Sequence, residues 1–382
     1  MMRKVVYISF VHLTEKYAHD WSIDYLIAKG VDVEFWNIVA ITREKYTESH
    51  IKASNYSHEL KSFSDLEARL NLPENRAAVY FMMVPVAAQF IRVLRLMSKY
   101  DCRMMYMAWG ASPITTTRPS RQLLKHLGQP LQLAKRIFER LAMIVSMRSG
   151  LLKAIDTVFA AGEVLVKNQR FAARIVPINF IDYDNFMRLR AAESVVHDGP
   201  YAVFLDTNLP HQTDLRVLGL PALDPHNYYF SLNRFFDRVE SQCGVKVVIA
   251  AHPKSNYDMD RFHGRACIRD LTPQLVKYAE FVITQTSSAL SYAVLNFKPA
   301  IFVYTDDMLS LYTDTFMRQL HEISGYVDAP LVNIDRIADV SQIIIRPPNV
   351  ERYECYKYDF LTTHESENTS TREIFFRELS TL

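Results

Sequence analysis

The chain has 382 residues, 49% of them hydrophobic and 23% charged, with a formal net charge of +2. That is enough apolar material for two or three packed domains, and it excludes a disordered or fibrous chain. The near-neutral balance gives no global signal for nucleic acid, and the ten glycines form neither G-x-G-x-x-G nor G-x-x-x-x-G-K-[ST], which argues against a glycine-rich phosphate loop.

The four cysteines, Cys102, Cys243, Cys267 and Cys355, are widely spaced and make no C-x-x-C pair. A disulfide framework or zinc site is not expected, and a reduced, cytoplasmic setting is. The opening MMRKVVYISF is too short an apolar run for a signal peptide and reads as a first strand. No apolar run reaches the roughly 18 residues of a spanning helix.

In chain order, Lys4 to Phe10 reads as a strand, Asp20 to Lys29 as a helix ended at Gly30, and Val31 to Ile38 as a second strand. Ala77 to Met83 is a third, followed by a helix from Val86 to Tyr100 and a fourth strand from Cys102 to Trp109. Ala154 to Ala161, closed by Gly162, is a fifth, and Ala173 to Ile178 a sixth. Strands alternating with helices of this length predict βαβ units and a parallel sheet.

The polar stretch Ala191 to Pro200 reads as a linker. A second alternating series follows. Tyr201 to Leu205 is a strand ending in Asp206, and Asn227 to Cys243 is a long amphipathic helix stopped by Gly244. Then come the strand-like runs Val245 to Ala251 and Phe281 to Thr284, the strand Ala300 to Tyr304, and a helix from Met308 to Ile323. Glu351 to Leu382 reads as mostly helical. The expected division is residues 1–190, an N-terminal Rossmann-like domain; 200–348, a C-terminal Rossmann-like domain; and 349–382, a helical segment packing back on the first.

Two strand ends carry the chemistry. Val245 to Ala251 stops at His252-Pro253-Lys254, and Phe281 to Thr284 stops at Gln285-Thr286-Ser287-Ser288 before a helical pattern. Open α/β sheets bind ligands at the carboxyl ends of their strands. Ser287 and Ser288 are expected to cap the following helix and, with Thr286 as a further donor, to bind a phosphate there. His252, held extended by Pro253, is expected to protonate or hydrogen-bond that phosphate, with Lys254 as a further contact. Asp206 either contacts the ligand or starts an Asx turn into Asn208.

His-Pro after one C-domain strand and Ser-Ser after the next, within two Rossmann-like halves, resemble the GT-B glycosyltransferases. The closer likeness is to the bacterial sialyltransferase, polysialyltransferase and Kdo-transferase families that build surface polysaccharide. The segment FLDTNLPHQTD, Phe204 to Asp214, also looks like surface-carbohydrate biosynthesis proteins. The resemblance covers the C-terminal half well and the N-terminal half only in architecture. It implies an α/β GT-B fold, with two Rossmann-like domains facing a cleft and a C-terminal helical segment. It also implies that His252-Pro253 and Ser287-Ser288 hold the nucleotide and phosphate of a CMP-sugar, and that backbone near Leu271 and Thr272 touches the base. Those sialyltransferases often carry an Asp/Glu-Asp/Glu-Gly base motif in the N-domain; this chain has none there, so no catalytic base is carried over.

The base is sought instead in the loop after the first strand, which offers His12, Glu15 and Asp20. Glu15 reads as mid-loop, whereas Asp20 also reads as the cap of the next helix. Trp109, Gly110 and Ser112, after the fourth strand, are expected to bind acceptor. No metal and no cofactor are expected.

From Arg118 to Lys153 the only acid is Glu139, and basic residues including Lys135, Arg136 and Arg140 alternate with leucines and other apolar residues. Such a pattern suits peripheral contact with an anionic membrane; the plainer reading is a domain helix with a basic face. The expected function is transfer of a sugar, a nonulosonic or ulosonic acid from a CMP donor, onto a bacterial surface glycan or lipid-linked acceptor. The alternatives are a UDP-, dTDP- or GDP-sugar transferase, a non-hydrolysing nucleotide-sugar epimerase, and a non-catalytic nucleotide-sugar or glycan-binding assembly partner.

Overall fold

The computed structural model describes residues 4–42, 51–110, 112–113, 138, 141–142, 144–169, 172–196, 199–212, 220–253, 255, 261–312, 316–337, 339–340 and 345–381. The chain forms two compact units. One comprises Met1–Gly110, Thr117–Asn179 and Thr363–Leu382; the other comprises Ala111–Thr116 and Phe180–Thr362. Each is built on one parallel sheet, as the alternation of strands and helices predicts.

The first sheet contains β1 (Val5–Ser9), β2 (Val33–Asn37), β3 (Ser57–Glu59), β4 (Val79–Met83), β5 (Arg103–Ala108), β6 (Ile155–Ala161) and β7 (Ala172–Ile178). Their order is β3-β2-β1-β4-β5-β6-β7, with every pairing parallel. All five residues of β1 are buried, as expected of a strand covered on both faces. Val6 and Ile8 pack on one side with Trp36, Tyr80 and Met82. Tyr7 meets Phe81 from the neighbouring strand at a ring distance of 5.2 Å.

The first helical region departs from expectation. One helix was predicted from Asp20; instead α1 (Glu15–Asp20) and α2 (Ile23–Ala28) flank a break at Trp21 and Ser22. Thr14 starts α1 by accepting a hydrogen bond from the Tyr17 amide at 3.1 Å. The break has an identifiable cause. Trp21 is buried, stacked on Tyr17 at 4.6 Å, and its carbonyl accepts a hydrogen bond from the buried Tyr7 hydroxyl at 2.8 Å. Ser22 then turns the chain with φ of 59°. Further on, α3 (Phe63–Leu70) and α4 (Ile91–Lys99) cover one face of the sheet, and α5 (Glu163–Asn168) follows β6.

The second sheet contains β8 (Tyr201–Leu205), β9 (Lys246–Ala250), β10 (Cys267–Ile268), β11 (Val282–Thr284), β12 (Ala300–Tyr304) and β13 (Leu331–Asn333). Its order is β10-β9-β8-β11-β12-β13, again with every pairing parallel. In both sheets the chain runs outward from a central strand and then returns to that strand's other side. This reversal is the doubly wound pattern, and ligands bind at such switch points.

The helices of this unit begin with α6 (Ile181–Arg188) and the long α7 (Pro225–Cys243). Asp224 caps α7 by accepting from the His226 amide at 3.0 Å, and Gly244 ends it at φ 67°. Next are α8 (Thr272–Tyr278) and α9 (Leu290–Leu295). The single helix predicted from Met308 to Ile323 is instead α10 (Asp306–Leu311) and α11 (Phe316–Tyr326). Among the described residues, no helix is long and apolar enough to cross a membrane.

The terminal segment is shared between the units. α12 (Val350–Tyr356) runs into a π-helical turn, Lys357–Leu361, in the second unit. The last helix, α13 (Thr371–Ser380), belongs to the first. Ser370 and Glu373 form its capping box. Thr371 exchanges hydrogen bonds with the Asn179 backbone at 3.0 and 3.1 Å. Phe375, fully buried, meets Phe81 at 4.6 Å and Phe159 at 5.3 Å, edge to face. Phe375→Ala should therefore destabilise the first unit by about 3–5 kcal/mol, measured by denaturant unfolding. A loss below about 1 kcal/mol would show that the last helix does not anchor this core.

Candidate active site

The carboxyl ends of β9, β8 and β11 lie side by side in the second sheet. Asp206 follows β8 directly and is 5% exposed. One carboxylate oxygen accepts from the Asn208 amide at 2.8 Å, closing an Asx turn; the other accepts from the His252 amide at 3.1 Å. One buried side chain therefore ties the end of β8 to the end of β9 and fixes where His252 leaves the sheet. The bond to Asn208 is the Asx turn that the sequence offers as one reading of Asp206.

His252 is half-buried and Pro253 exposed. The His252 carbonyl accepts from the Ser255 amide at 2.9 Å and from its hydroxyl at 2.6 Å. The strand thus ends in a tight, internally bonded turn. Lys254 lies outside the described residues.

Beyond β11, Gln285 is 1% exposed and was not expected to matter. Its side-chain oxygen accepts from the Thr207 hydroxyl at 3.1 Å and the Tyr228 hydroxyl at 2.9 Å. Gln212 donates to the Thr207 carbonyl at 3.0 Å. This network ties the loop after β8, the first turn of α7 and the end of β11 together. Burial pushes the Tyr228 phenol well above its ordinary pKa, and the nearby Asp206 charge adds to the rise. Tyr228 therefore stays a neutral donor. Asn208, at φ 49°, keeps a buried side-chain oxygen with no partner. A glutamine flanked by strand and turn residues, opposite a tyrosine in an amphipathic helix, is the only sequence signal for this network.

Ser287 and Ser288 do not cap the next helix. α9 begins at Leu290 with Ala289 in the cap position. The Ser287 hydroxyl instead accepts from the Ala289 amide at 3.3 Å, and the Ser287 and Ser288 carbonyls accept from the Leu290 and Ser291 amides at 3.2 Å. A short turn is inserted because these i to i+3 bonds tighten the chain before the helix starts. Thr286 and Ser287 are half-buried and Ser288 is exposed.

The turn is braced from α6. The Asp182 carboxylate accepts from the Ser291 hydroxyl and, at 3.0 Å, from the Tyr292 hydroxyl. Asp182 and Asp184 form an Asp-x-Asp pair that the motif reading leaves out, and at least the first carboxylate is engaged inside the fold. Among the described residues, no group of three or more His, Cys, Asp or Glu side chains is placed to hold a metal. Leu271 is the cap residue of α8 and Thr272 its first residue, both half-buried.

In the first unit, the switch-point strand β1 leads to His12. The Asn37 amide nitrogen lies 2.7 Å from His12 Nδ1, and the Asn37 oxygen accepts from the Val39 amide at 2.9 Å. That second bond orients the amide, so Asn37 donates to Nδ1 and the neutral ring carries its proton on Nε2. Its remaining nitrogen is then a donor. Glu15 is not mid-loop. It opens α1, its side chain is 79% exposed, and it pairs with Lys52 at 3.0 Å. Asp20 ends α1 rather than capping α2, and pairs with Lys16 one turn back.

Trp109 lines a cavity of about 360 Å³ with Pro85, Val86, Tyr106 and Leu165, and its buried indole nitrogen has no partner. Gly110 follows at φ 81°, a conformation that favours glycine. Ser112 groups with the second unit. The basic trio Lys135, Arg136 and Arg140 lies outside the described residues.

No family model matches the chain, and no curated protein matches it. Among solved structures, it resembles the wall teichoic acid polymerase TagF with a TM-score of 0.51 at 11% identity, over 99% of this chain and 90% of that one. It also aligns with a UDP-GlcNAc 2-epimerase from Methanocaldococcus jannaschii at 12% identity, over all of both chains, with a TM-score of 0.48. A third alignment, at 11% identity and a TM-score of 0.46, is with the spinosyn forosaminyltransferase SpnP, covering 100% of this chain and 98% of that one. The TagF likeness, with two parallel sheets in chain succession, shows the GT-B fold.

Gln285→Leu removes the acceptor of two buried hydroxyls while keeping similar volume. Each orphaned group costs about 1–3 kcal/mol, so unfolding in denaturant should show a loss of about 2 kcal/mol or more. An unchanged midpoint would mean that the Thr207–Gln285–Tyr228 network does not hold the strand ends together.

Proposed function

We propose that the protein is a nucleotide-sugar-dependent glycosyltransferase. The reading is carried by one arrangement: Asp206, His252 and the 285–288 turn stand at the carboxyl ends of three neighbouring parallel strands around the switch point of the second sheet. Such ends collect polar groups and backbone amides where a nucleotide phosphate binds. The shared fold with TagF supports the class. The His-Pro and Ser-Ser motifs support a CMP-activated nonulosonic or ulosonic acid as donor.

The proposed reaction is a direct, inverting displacement. An acceptor hydroxyl oxygen forms a bond to the anomeric carbon as the bond from that carbon to the nucleotide phosphate oxygen breaks. His252, Thr286, Ser287 and Ser288 stabilise the negative charge left on the nucleotide. The acceptor proton passes to a side chain of the first unit, drawn from Glu15, Asp20 and His12. His12 is the least apt of the three as a base, because its Nδ1 lone pair is already used by Asn37. Backbone near Leu271 and Thr272 contacts the base, and Trp109 with Gly110 contacts the acceptor, a surface glycan or lipid-linked glycan. Lys135, Arg136 and Arg140 give the basic segment an affinity for an anionic membrane.

Two measurements test this reading. Ser287→Ala with Ser288→Ala should weaken nucleotide binding in calorimetric titration without unfolding the protein, since neither hydroxyl is in the core; unchanged affinity refutes the phosphate role. His252→Ala should lower kcat on the order of 10²-fold and change donor affinity less, whereas near wild-type turnover makes His252 a structural strand-end residue. In the same assay, Glu15→Gln, Asp20→Asn and His12→Ala identify the base by loss of transfer with donor binding retained. If the enzyme converts the donor sugar without any acceptor, it is an epimerase.

A further inference from the structure

The first unit carries an apolar stripe beside a basic one. Residues 138, 141–142 and 144–148 are helical. Phe138, Leu141 and Val145 recur in the sequence at spacings of three and four, the spacing of neighbours on a helix surface. They are 72%, 53% and 60% exposed, and Leu151 in the following turn is 54% exposed. The same segment is anchored from its other side. Ser146 and Leu152 are buried, and Met147 packs against the core of the first sheet. Residues 144–148 are therefore docked through Ser146 and Met147 with Val145 exposed, and Phe138, Leu141 and Leu151 are exposed as well. An exposed apolar row of this kind marks an interaction surface.

Leu151 also lines a groove of about 740 Å³ between α3 and α4, with Phe63, Glu67, Arg92, Arg95 and Lys99. Arg92, Arg95 and Lys99 lie along one exposed face of α4 at spacings of three and four. Arg92 stacks over Phe63 at 4.0 Å. Lys99 pairs with Glu67 at 2.6 Å, and Tyr100 also donates to that carboxylate at 3.1 Å. Three cations against one carboxylate leave an excess of two positive charges in the groove. Arg148, exposed at the end of the helix, adds another.

We propose that this face docks on an anionic phospholipid bilayer, with Phe138, Leu141, Val145 and Leu151 entering the interface and Arg92, Arg95 and Arg148 meeting the headgroups. Apolar burial and attraction to anionic lipid act together in interfacial helices, and neither alone gives stable attachment. The charge excess fits an anionic surface, and the apolar row beside it fits acyl chains. The proposal rests on the membrane-contact part of the reading above and deepens it, adding Arg92 and Arg95 of α4 to the segment from Arg118 to Lys153, and is independent of its enzymology. Donor binding is assigned to the second unit, so vesicle binding can fail while transfer stands, and the reverse.

The test is flotation of the full chain with vesicles of phosphatidylcholine alone and of phosphatidylcholine mixed with phosphatidylglycerol. Wild type should float with the mixed vesicles only, and less so as salt rises. Arg92→Glu with Arg95→Glu should weaken binding by at least about ten-fold. Phe138→Ser with Val145→Ser should weaken it comparably while leaving the thermal midpoint unchanged, because both side chains are exposed. Arg76→Glu with Lys29→Glu makes the same charge change elsewhere on the unit and should bind like wild type. The proposal is overturned if wild type ignores the mixed vesicles, if the stripe variants bind as wild type does, or if the control pair weakens binding equally. It is also overturned if the chain self-associates in solution through Phe138 and Val145 and does not float.

Discussion

The Asp206 carboxylate is the contact on which the candidate site depends. A parallel strand ends with backbone amides that no further neighbour pairs, and buried amides without partners are costly. Asp206 accepts from two such amides, one on its own chain at Asn208 and one on the next strand at His252. The ends of β8 and β9 are thereby held at a fixed separation before any ligand is considered. On the other side of β8, Gln285 does the equivalent for β11 by accepting from Thr207 and Tyr228. The polar groups at the switch point are thus fixed in place by the fold, at the strand ends where open α/β sheets bind ligands.

The two sheets solve the same topological problem with different chemistry. Around β1 the first unit uses aromatic packing: Tyr7, Phe81, Phe159 and the C-terminal Phe375 form one buried set. Around β8 the second unit carries a buried polar network. Buried polar networks are stable only when nearly every member is satisfied. Asn208 departs from that rule, with an unpartnered oxygen beside Asp206.

Much of the fold was legible in the chain because parallel strands buried on both faces read as continuous apolar runs; VVYIS and AIFVY are examples. The edge strands β3, β10 and β13 have two or three residues each, and β3 reads Ser-His-Glu, so no periodic signal marks them. Helix starts were less legible. Thr14 caps α1 six residues before the predicted helix, and only the tertiary contacts of Trp21 explain the break that follows. The same limit applied at the site. Asp206, His252 and the 286–288 turn stood out as polar residues ending apolar runs. Ser287 and Ser288 then proved to form a turn, and Gln285 became visible only through its partners Thr207 and Tyr228, which are 78 and 57 residues away in the chain.

The central claim is that the second unit binds the nucleotide of a sugar donor. Calorimetric titration of the intact protein with CMP, UDP, GDP and dTDP tests it most directly, since a site built by the fold needs no acceptor to bind the nucleotide. The account predicts saturable binding of one of the four, CMP foremost. Failure of all four to bind, with the protein folded, would contradict it.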